Sequence, residues 1–433
     1  SSGIAIDISD FSLYSLTLSL TPAGMKHHDD ILQLCFEWIS LIQMTIVSNP
    51  TLIEQYHDEL QQMAENKFRF RENGDPVDFC SAASELMFDE YTPPERLLVA
   101  SSIDVGTYNH EVTCEFLKRI TPQNCMIFMI DSDWNDNDNE DDWTTEPWYG
   151  ARYRTMQMTE EQMDQWEFPK TVDSRLHLPA LNKYIPSDFS LRCDDDKDYD
   201  NDQTETTLDN NAAAVTKEEA VGPEEIQKPP TLLAASPTYR LWHKMDKYWR
   251  VPKTFIKVSL VSPTTYQSPR SMTYSRIFQR VLNDDLNSFV YDAGVAGCSY
   301  RVACTPTGWK ISVTGFSEKL SFLLDTLTSR MLSLIEEMKQ GREAHPALYS
   351  TFSKAKEGLL RETKNYRLDS PYEVANYNSR LLIEENVWYI DNYIDEMEGE
   401  YAEQIDPLTL EECAAVAEEC LMGRVKAEIL CMG

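Results

Sequence analysis

The chain opens on an alternating run. Phe11, Leu13, Ser15, Thr17 and Ser19 fall on one face and Leu16, Leu18 and Leu20 on the other, until Thr21-Pro22-Ala23-Gly24 breaks the pattern. A period of two closed by a Pro/Gly break predicts a strand followed by a turn. The period then changes to that of a helix. Ile31, Leu34, Cys35, Trp38, Leu41 and Ile42 share one helical face, and Ile53, Tyr56, Leu60, Met63 and Ala64 share another. A third helix is opened by Asp75-Pro76, a fourth centres on Val112, Phe116 and Ile120, and Cys125–Ile130 reads as a closing strand.

The second half of the chain replays this order. Strand Lys310–Thr314 leads through a turn at Gly315 to helices at about Ser317–Lys339 and His345–Tyr366. A helix opened by Ser370-Pro371 follows, then one around Pro407–Leu421 and a strand Val425–Cys431. Asp75-Pro76-Val77-Asp78-Phe79 and Ser370-Pro371-Tyr372-Glu373-Val374 stand 295 residues apart, a spacing that marks a duplicated domain rather than a solenoid. The second copy also has a front part: strand Thr254–Leu260, helix Met272–Phe289, and strand Ala296–Cys304 entered through Gly294 and Gly297. Strand pairs followed by long helices predict an α+β fold of repeated two-layer domains, each an antiparallel-rich sheet backed by helices.

Charge divides the chain. Lys and Arg number 39 against 72 Asp and Glu, for a net charge of −33. Asp131, Asp133, Asp136, Asp138, Glu140, Asp141 and Asp142 form one acidic run, and residues 194–225 carry twelve acidic groups against Lys197 and Lys217. The second run, with its Asn, Thr, Ala and Pro, lacks the apolar surface that would offset ordering, so 192–236 is expected to be a disordered linker. That leaves two blocks, 1–191 with an acidic loop at 131–142, and 237–433. The loop has D-x-D spacings but neither the Gly nor the bidentate Glu of a calcium loop, and a solvated loop is the better reading. So negative a chain excludes nucleic acid as a partner. Clean apolar stretches such as Cys125–Ile130 fall short of the roughly 20 residues that span a bilayer, so no membrane is expected either. The ten cysteines include no C-x-x-C pair and read as reduced thiols, in keeping with a cytoplasmic location. A chain beginning Ser1-Ser2-Gly3-Ile4, already in strand-like sequence, is expected to be part of a longer polypeptide.

Candidate chemistry is sparse. The histidines stand at 27, 28, 57, 110, 177, 243 and 345, and the sequence contains neither H-E-x-x-H nor H-x-x-E-H. A zinc peptidase helix needs two imidazoles four apart with a carboxylate between them. Adjacent His27 and His28 point about 100° apart on a helix, so His27-His28-Asp29-Asp30 reads as a helix start with acid at its positive end. G-x-S-x-G, G-x-x-x-x-G-K-[ST] and G-x-G-x-x-G are absent. Cys298 and Cys304 have no histidine near them in sequence and read as sheet residues. Trp242, Tyr248 and Trp249, among Lys244, Lys247 and Arg250, read as a surface hairpin that enters the sheet at Val251-Pro252.

Two phrases carry a resemblance. Leu176-His177-Leu178-Pro179-Ala180-Leu181-Asn182-Lys183-Tyr184-Ile185-Pro186-Ser187-Asp188-Phe189 is the first, and Leu241-Trp242-His243-Lys244-Met245-Asp246-Lys247-Tyr248-Trp249-Arg250-Val251-Pro252-Lys253 is the second. Supporting matches are Leu20–Gly24, Phe68-Arg69-Phe70, Trp148-Tyr149-Gly150-Ala151-Arg152-Tyr153 and Val313-Thr314-Gly315-Phe316-Ser317-Glu318-Lys319. Together they resemble the junction between the second and third domains of pitrilysin/insulinase family zinc metallopeptidases of the insulysin and nardilysin type. The resemblance implies a LuxS/MPP-like metallopeptidase fold and a parent in which four homologous domains close like a clamshell around peptide substrates. The first and fourth domains of the same polypeptide would be its partners. It also implies that zinc belongs to the parent's first domain, and that this chain contributes no catalytic residue and no metal ligand. The family's substrate-anchoring exosite maps before or at Ser2–Ile4, which leaves Gly3 as the one candidate substrate-binding residue. The expected function is the non-catalytic middle portion of a zinc metalloendopeptidase, inert alone. The alternative is a scaffold or peptide-binding region of a catalytically silent relative.

Overall fold

The computed structural model describes residues 2–8, 10–71, 74–88, 93–97, 99, 106–131, 143–167, 169, 172–191, 193, 228–399 and 407–433. The acidic run 132–142 and most of the expected linker lie outside the described residues. The chain forms two compact units: Ser1–Gln61 with Asp104–Leu181, and Gln62–Ile103 with Asn182–Gly433.

In the first unit, β1 (Ser2–Asp7) and β2 (Ser12–Leu16) pair antiparallel, Gly3 opposite Ser15. Helix α1 (His28–Ser48) follows, then α2 (Pro50–Arg69), which runs across the division between the units. Helix α4 (His110–Arg119) is capped by Asn109, whose Oδ1 accepts from the Val112 N–H at 3.1 Å. A short ladder joins β3 (Thr144–Thr145) to β4 (Arg152–Tyr153), and α5 (Glu160–Glu167) completes the unit. Its core is small: Phe36 of α1 stacks on Trp166 of α5 at 5.4 Å, with Ile46 buried nearby in sequence. By length and composition α1 is the one described helix apolar enough to cross a membrane. Its apolar run is interrupted by Glu37. That carboxylate is buried and accepts from Gln33 Nε2 at 2.8 Å and from the Asp173 N–H at 2.8 Å, contacts of a globular interior.

The expected closing strand Cys125–Ile130 does not form. The segment is irregular and pairs with no described strand, and Phe128 and Ile130 are 82% and 94% exposed. Its short apolar run resembles a buried strand, but a strand needs a neighbouring ladder.

The second unit holds α3 (Pro76–Leu86), capped by Asp75 much as Ser370 caps its counterpart α9 (Pro371–Ile383). Its sheet has six strands in the order β5-β6-β10-β7-β9-β8. These are β5 (Thr231–Ala235), β6 (Tyr239–Lys244), β7 (Lys253–Val261), β8 (Ser299–Thr305), β9 (Gly308–Phe316) and β10 (Lys426–Met432). Every neighbouring pair is antiparallel except β6–β10. Along β9, Trp309, Ile311 and Val313 are buried while Lys310 and Thr314, which face the other way, are exposed. On the apolar face pack α6 (Pro269–Val295), α7 (Ser317–Lys339) and α11 (Leu410–Met422), with Phe278, Leu282, Leu327, Leu334 and Ala417 in one continuous core. Helices α8 (Pro346–Asn365) and α10 (Ile390–Glu398) pack on α6. The fold is α+β with an antiparallel-rich sheet, as the periodicity predicts.

Four further expectations are corrected. Residues 231–235 belong to β5, so the expected linker is shorter at its C-terminal end: β5 gains a ladder with β6 that the composition of the segment does not announce. Residues 182–191 join the second unit, so the described residues on both sides of the acidic segment belong to one and the same unit. The Trp242–Trp249 region is not a hairpin, because β10 lies between β6 and β7. Asp246 Oδ1 instead accepts from the Tyr248 and Trp249 N–H groups, turning the chain locally. Gly315, expected in a turn, lies within β9 opposite Thr254; a Cβ there would stand 2.6 Å from Cys298 Sγ, and that close approach is what the glycine permits.

Candidate functional site

The phrases that carried the resemblance lie far apart in sequence, yet several of them meet at the N-terminus of α7. Asn182 starts the contact: its Nδ2 donates to the Asp292 carbonyl at 2.8 Å and its Oδ1 accepts from the Tyr184 N–H at 2.9 Å. Tyr184 is fully buried, with its ring 5.1 Å from Phe322 and its hydroxyl donating to Thr326 Oγ1 at 3.3 Å. Lys183 covers the Phe322 ring, Nζ 4.7 Å from the centroid. The next turn of chain is held by charge. The Ser187 and Asp188 N–H groups each donate to Glu318 Oε2 at 2.7 Å, and Lys319 pairs with Oε1 at 2.8 Å. Partial burial pushes the Glu318 carboxyl up, but the two N–H donors and Lys319 outweigh it and hold the group at about 2. Its place in the first turn of α7 favours the anion further.

Phe189 then enters an aromatic cluster with Phe70 at 5.1 Å and Phe316 at 5.7 Å, and Phe70 and Phe316 are 5.4 Å apart. The Arg69 guanidinium lies 5.1 Å from the Phe70 centroid and 5.3 Å from that of Phe189, and Lys253 Nζ donates to the Phe70 carbonyl at 3.3 Å. Parts of four phrases, 68–70, 182–189, Lys253 and 316–319, thus form one clasp that fastens the 182–189 segment to the second unit. The second phrase is also tied to β10: Trp242 Nε1 donates to Glu428 Oε2 at 3.1 Å, and Arg240 pairs with Glu428 at 3.3 Å.

The clasp is built for holding rather than for proton transfer. Glu318 is saturated by donors: the Ser187 and Asp188 N–H groups, Lys319, and the Ser187 hydroxyl, which donates to Oε1 at 3.3 Å. The other perturbed groups are likewise engaged in pairs. Burial and the Glu412 carboxylate push the Tyr274 hydroxyl up, while Arg270 bridges Glu412 at 2.7 Å and Glu396 at 3.3 Å. Arg330 fills much of the polar wall of a cavity of about 400 Å³ by pairing with Asp285 at 2.6 Å and with Glu337. Burial pushes the Cys304 thiol up to about 12, away from nucleophilic use.

The histidines are dispersed among local partners: His27 with Asp30, His28 with the Met25 carbonyl, His110 with Tyr108 and Cys114, His345 with Gln340. Among the described residues no three His, Cys, Asp or Glu side chains are grouped to hold a metal ion. The described residues do not fit a zinc site. Gly3 lies in β1 with nothing within 4 Å of where a Cβ would stand. The clasp residues Asn182, Tyr184 and Glu318 were within quoted phrases, but no local pattern couples Glu318 to an N–H pair about 130 positions earlier.

A six-stranded antiparallel-rich sheet backed by helices, with a junction segment clasped to its side, defines a two-layer α+β domain. Residues 68–396 match the family described as the middle or third domain of peptidase M16, and the chain belongs to that family. It is 28% identical over 396 residues to insulin-degrading enzyme-like 1, peroxisomal, of Arabidopsis thaliana, covering 92% of this chain and 35% of that protein. It is 25% identical over 392 residues to nardilysin of Rattus norvegicus, covering 90% of this chain and 29% of that protein. Among solved structures, pitrilysin superposes with a TM-score of 0.63 at 20% identity, over 96% of this chain and 38% of the other, which shows a shared fold. The chain spans about a third of the length of the curated relatives it matches.

Proposed function

We propose that this chain is the non-catalytic middle portion of an insulinase-type zinc metalloendopeptidase, inert alone, serving proteolysis of peptides inside a chamber closed by all four domains. The observation that carries the reading is the match of residues 68–396 to a domain defined as the middle or third of a peptidase, in a chain whose sequence has no H-x-x-E-H. Residues 1–191 are the rear of the second domain and 237–433 the third domain, with β5 and β6 leading into it. Zinc and the catalytic carboxylate would be supplied by the first domain, and peptide contacts by the first and fourth. Gly3 is a remnant of the substrate-anchoring strand. Ten free thiols fit a reducing compartment such as the cytoplasm.

The test is to measure zinc and peptide hydrolysis on the 433-residue chain and on the same chain joined to a first and fourth domain. Hydrolysis is expected from the assembled protein alone. Stoichiometric zinc on the isolated chain, removed by chelator together with peptide cleavage, would sink the reading.

A further inference from the structure

Each strand of the six-stranded sheet sends alternate side chains toward the helices and toward the opposite face. The helix side is apolar: Val258 and Leu260 of β7 and Ile311 and Val313 of β9 lie in or against the core. The opposite side is basic. Along the ladder register, Arg301 of β8, Ser312 of β9, Lys257 of β7, Leu430 of β10 and Trp242 of β6 form one row across the sheet. Lys310 stands two residues along β9 from Ser312, diagonal to both Lys257 and Arg301, a placement that sets Cβ atoms about 7–8 Å apart. All three cations are exposed. The chain carries 72 acidic residues against 39 basic ones, yet Glu428 is the one acid in all six strands. Arg240 pairs with it at 3.3 Å, and Lys426 Nζ is 3.9 Å away. Like charges facing one another across strands cost stability, so folding does not explain the grouping of Lys257, Arg301 and Lys310.

We propose that the face of the sheet turned away from the helices docks an acidic peptide, whose carboxylates meet Arg301, Lys310 and Lys257 and whose apolar end lies on Leu430 and Trp242. Charge complementarity selects the occupant: recognition of an acidic segment by grouped Arg and Lys is a recurring mode of peptide binding. The dimensions agree. Same-side residues of an extended peptide stand about 7 Å apart, the spacing of the diagonal cations. At about 4.8 Å per strand, the row from β8 to β6 covers roughly 19 Å, the length of about six extended residues. An inorganic polyanion would use the cations and leave the Leu430–Trp242 end of the row idle. The net charge of −33 opposes an acidic ligand at long range. At physiological salt the Debye length is about 8 Å, so a peptide in contact with the three cations feels them far more than it feels the rest of the chain. That the occupant is a peptide rests on the function proposed above; the charge of the face does not.

The experiment is isothermal titration calorimetry on the 433-residue chain at about 0.15 M salt, with the acetylated and amidated hexapeptide Asp-Glu-Asp-Thr-Phe-Leu. Saturable binding is expected, at least tenfold weaker for Asn-Gln-Asn-Thr-Phe-Leu and at least fivefold weaker for Asp-Glu-Asp-Thr-Ser-Ser. Lys257→Gln combined with Lys310→Gln should weaken the acidic peptide at least tenfold without lowering the unfolding midpoint. Lys354→Gln combined with Arg361→Gln, which removes the same charge from exposed positions of α8, should leave binding unchanged. The three peptides are compared on unaltered protein, so the result does not depend on a variant folding. No binding, or equal binding of the amide peptide, overturns the proposal. Equal binding of the Ser-Ser peptide means a plain anion site, and equal losses in the two double variants mean an effect of net charge; either also overturns it. So does a tenfold gain when residues 194–225 are deleted, which would name the chain's own acidic segment as the occupant. Because no hydrolysis is read, a failure here leaves the proteolytic reading standing, and a failure of that reading leaves this titration unchanged.

Discussion

The two units draw on similar sequence patterns and reach different ends. In the second unit, helices α6, α7 and α11 bury their apolar faces completely against the sheet, and Leu282, Leu323 and Leu334 have no exposed surface. In the first unit Ile4, Leu18, Val47 and Phe128 stay exposed, Val47 at 76%, and the buried apolar set comes down to Phe36, Ile46, Pro122 and Trp166 among the described residues. Amphipathicity provides a face to bury but not the surface to bury it against. At about 25 cal/mol per Å² of apolar area removed from water, the second unit's core stabilises a domain, whereas the first unit's exposed patches are the kind that mark an interaction surface or an aggregation liability.

The largest expected effect follows from removing β10. Because Lys426–Met432 pairs with β6 on one side and β7 on the other, deleting residues 426–433 splits the sheet. Loss of the cooperative transition by far-UV circular dichroism is expected. A deletion variant that unfolds cooperatively at the parent's midpoint would show that the second unit is not organised around this strand.

Trp309→Ala should cost about 3–5 kcal/mol in denaturant unfolding, since the buried ring fills the core against Phe278. The matched change in the first unit, Trp148→Ala, removes a ring that is 87% exposed and should stay within about 0.5 kcal/mol. Native-state hydrogen exchange sharpens the same contrast: amides of α6 and β9 are expected to exchange through global unfolding, and those of β1, β2 and α4 well before it. Equal protection in the two units would erase the distinction.

A pH-dependent effect concerns the clasp. Glu318 is held at about 2 against an ordinary value of 4.5, so its contribution is present in full above about pH 4.5 and is lost as pH falls toward 2. Glu318→Gln is expected to cost about 1 kcal/mol at pH 7, a modest figure because the group is partly solvent-screened, and nothing near pH 2. A cost independent of pH between 2 and 7 would mean that the carboxylate's charge plays no part in holding Ser187 and Asp188.

Much of the second unit was legible in advance. Strands at Thr254–Leu260 and Lys310–Thr314 and helices at Ser317–Lys339 and Ser370-Pro371 follow from local periodicity and capping, which short-range sterics and burial impose wherever the chain goes. Cys125–Ile130 misled because a short apolar run records a willingness to be buried, not the presence of a strand to pair with. Thr231–Ala235 misled in the opposite sense: its neighbours are rich in Pro and acid, and only the ladder with β6 makes it a strand.

Family membership was likewise readable, because the phrases at 176–189 and 241–253 are contiguous, and the absence of H-x-x-E-H is a property of the string itself. The placement of β10 between β6 and β7, the capture of Ser187 and Asp188 by Glu318, and the ladder between β5 and β6 were decided by the tertiary structure. Each joins residues from about ten to nearly two hundred positions apart, and the free energy of such a contact depends on closing the intervening chain and on what else competes for the same backbone groups. A linear pattern of polar and apolar residues fixes which groups need partners, while only the packed chain determines which partners they obtain.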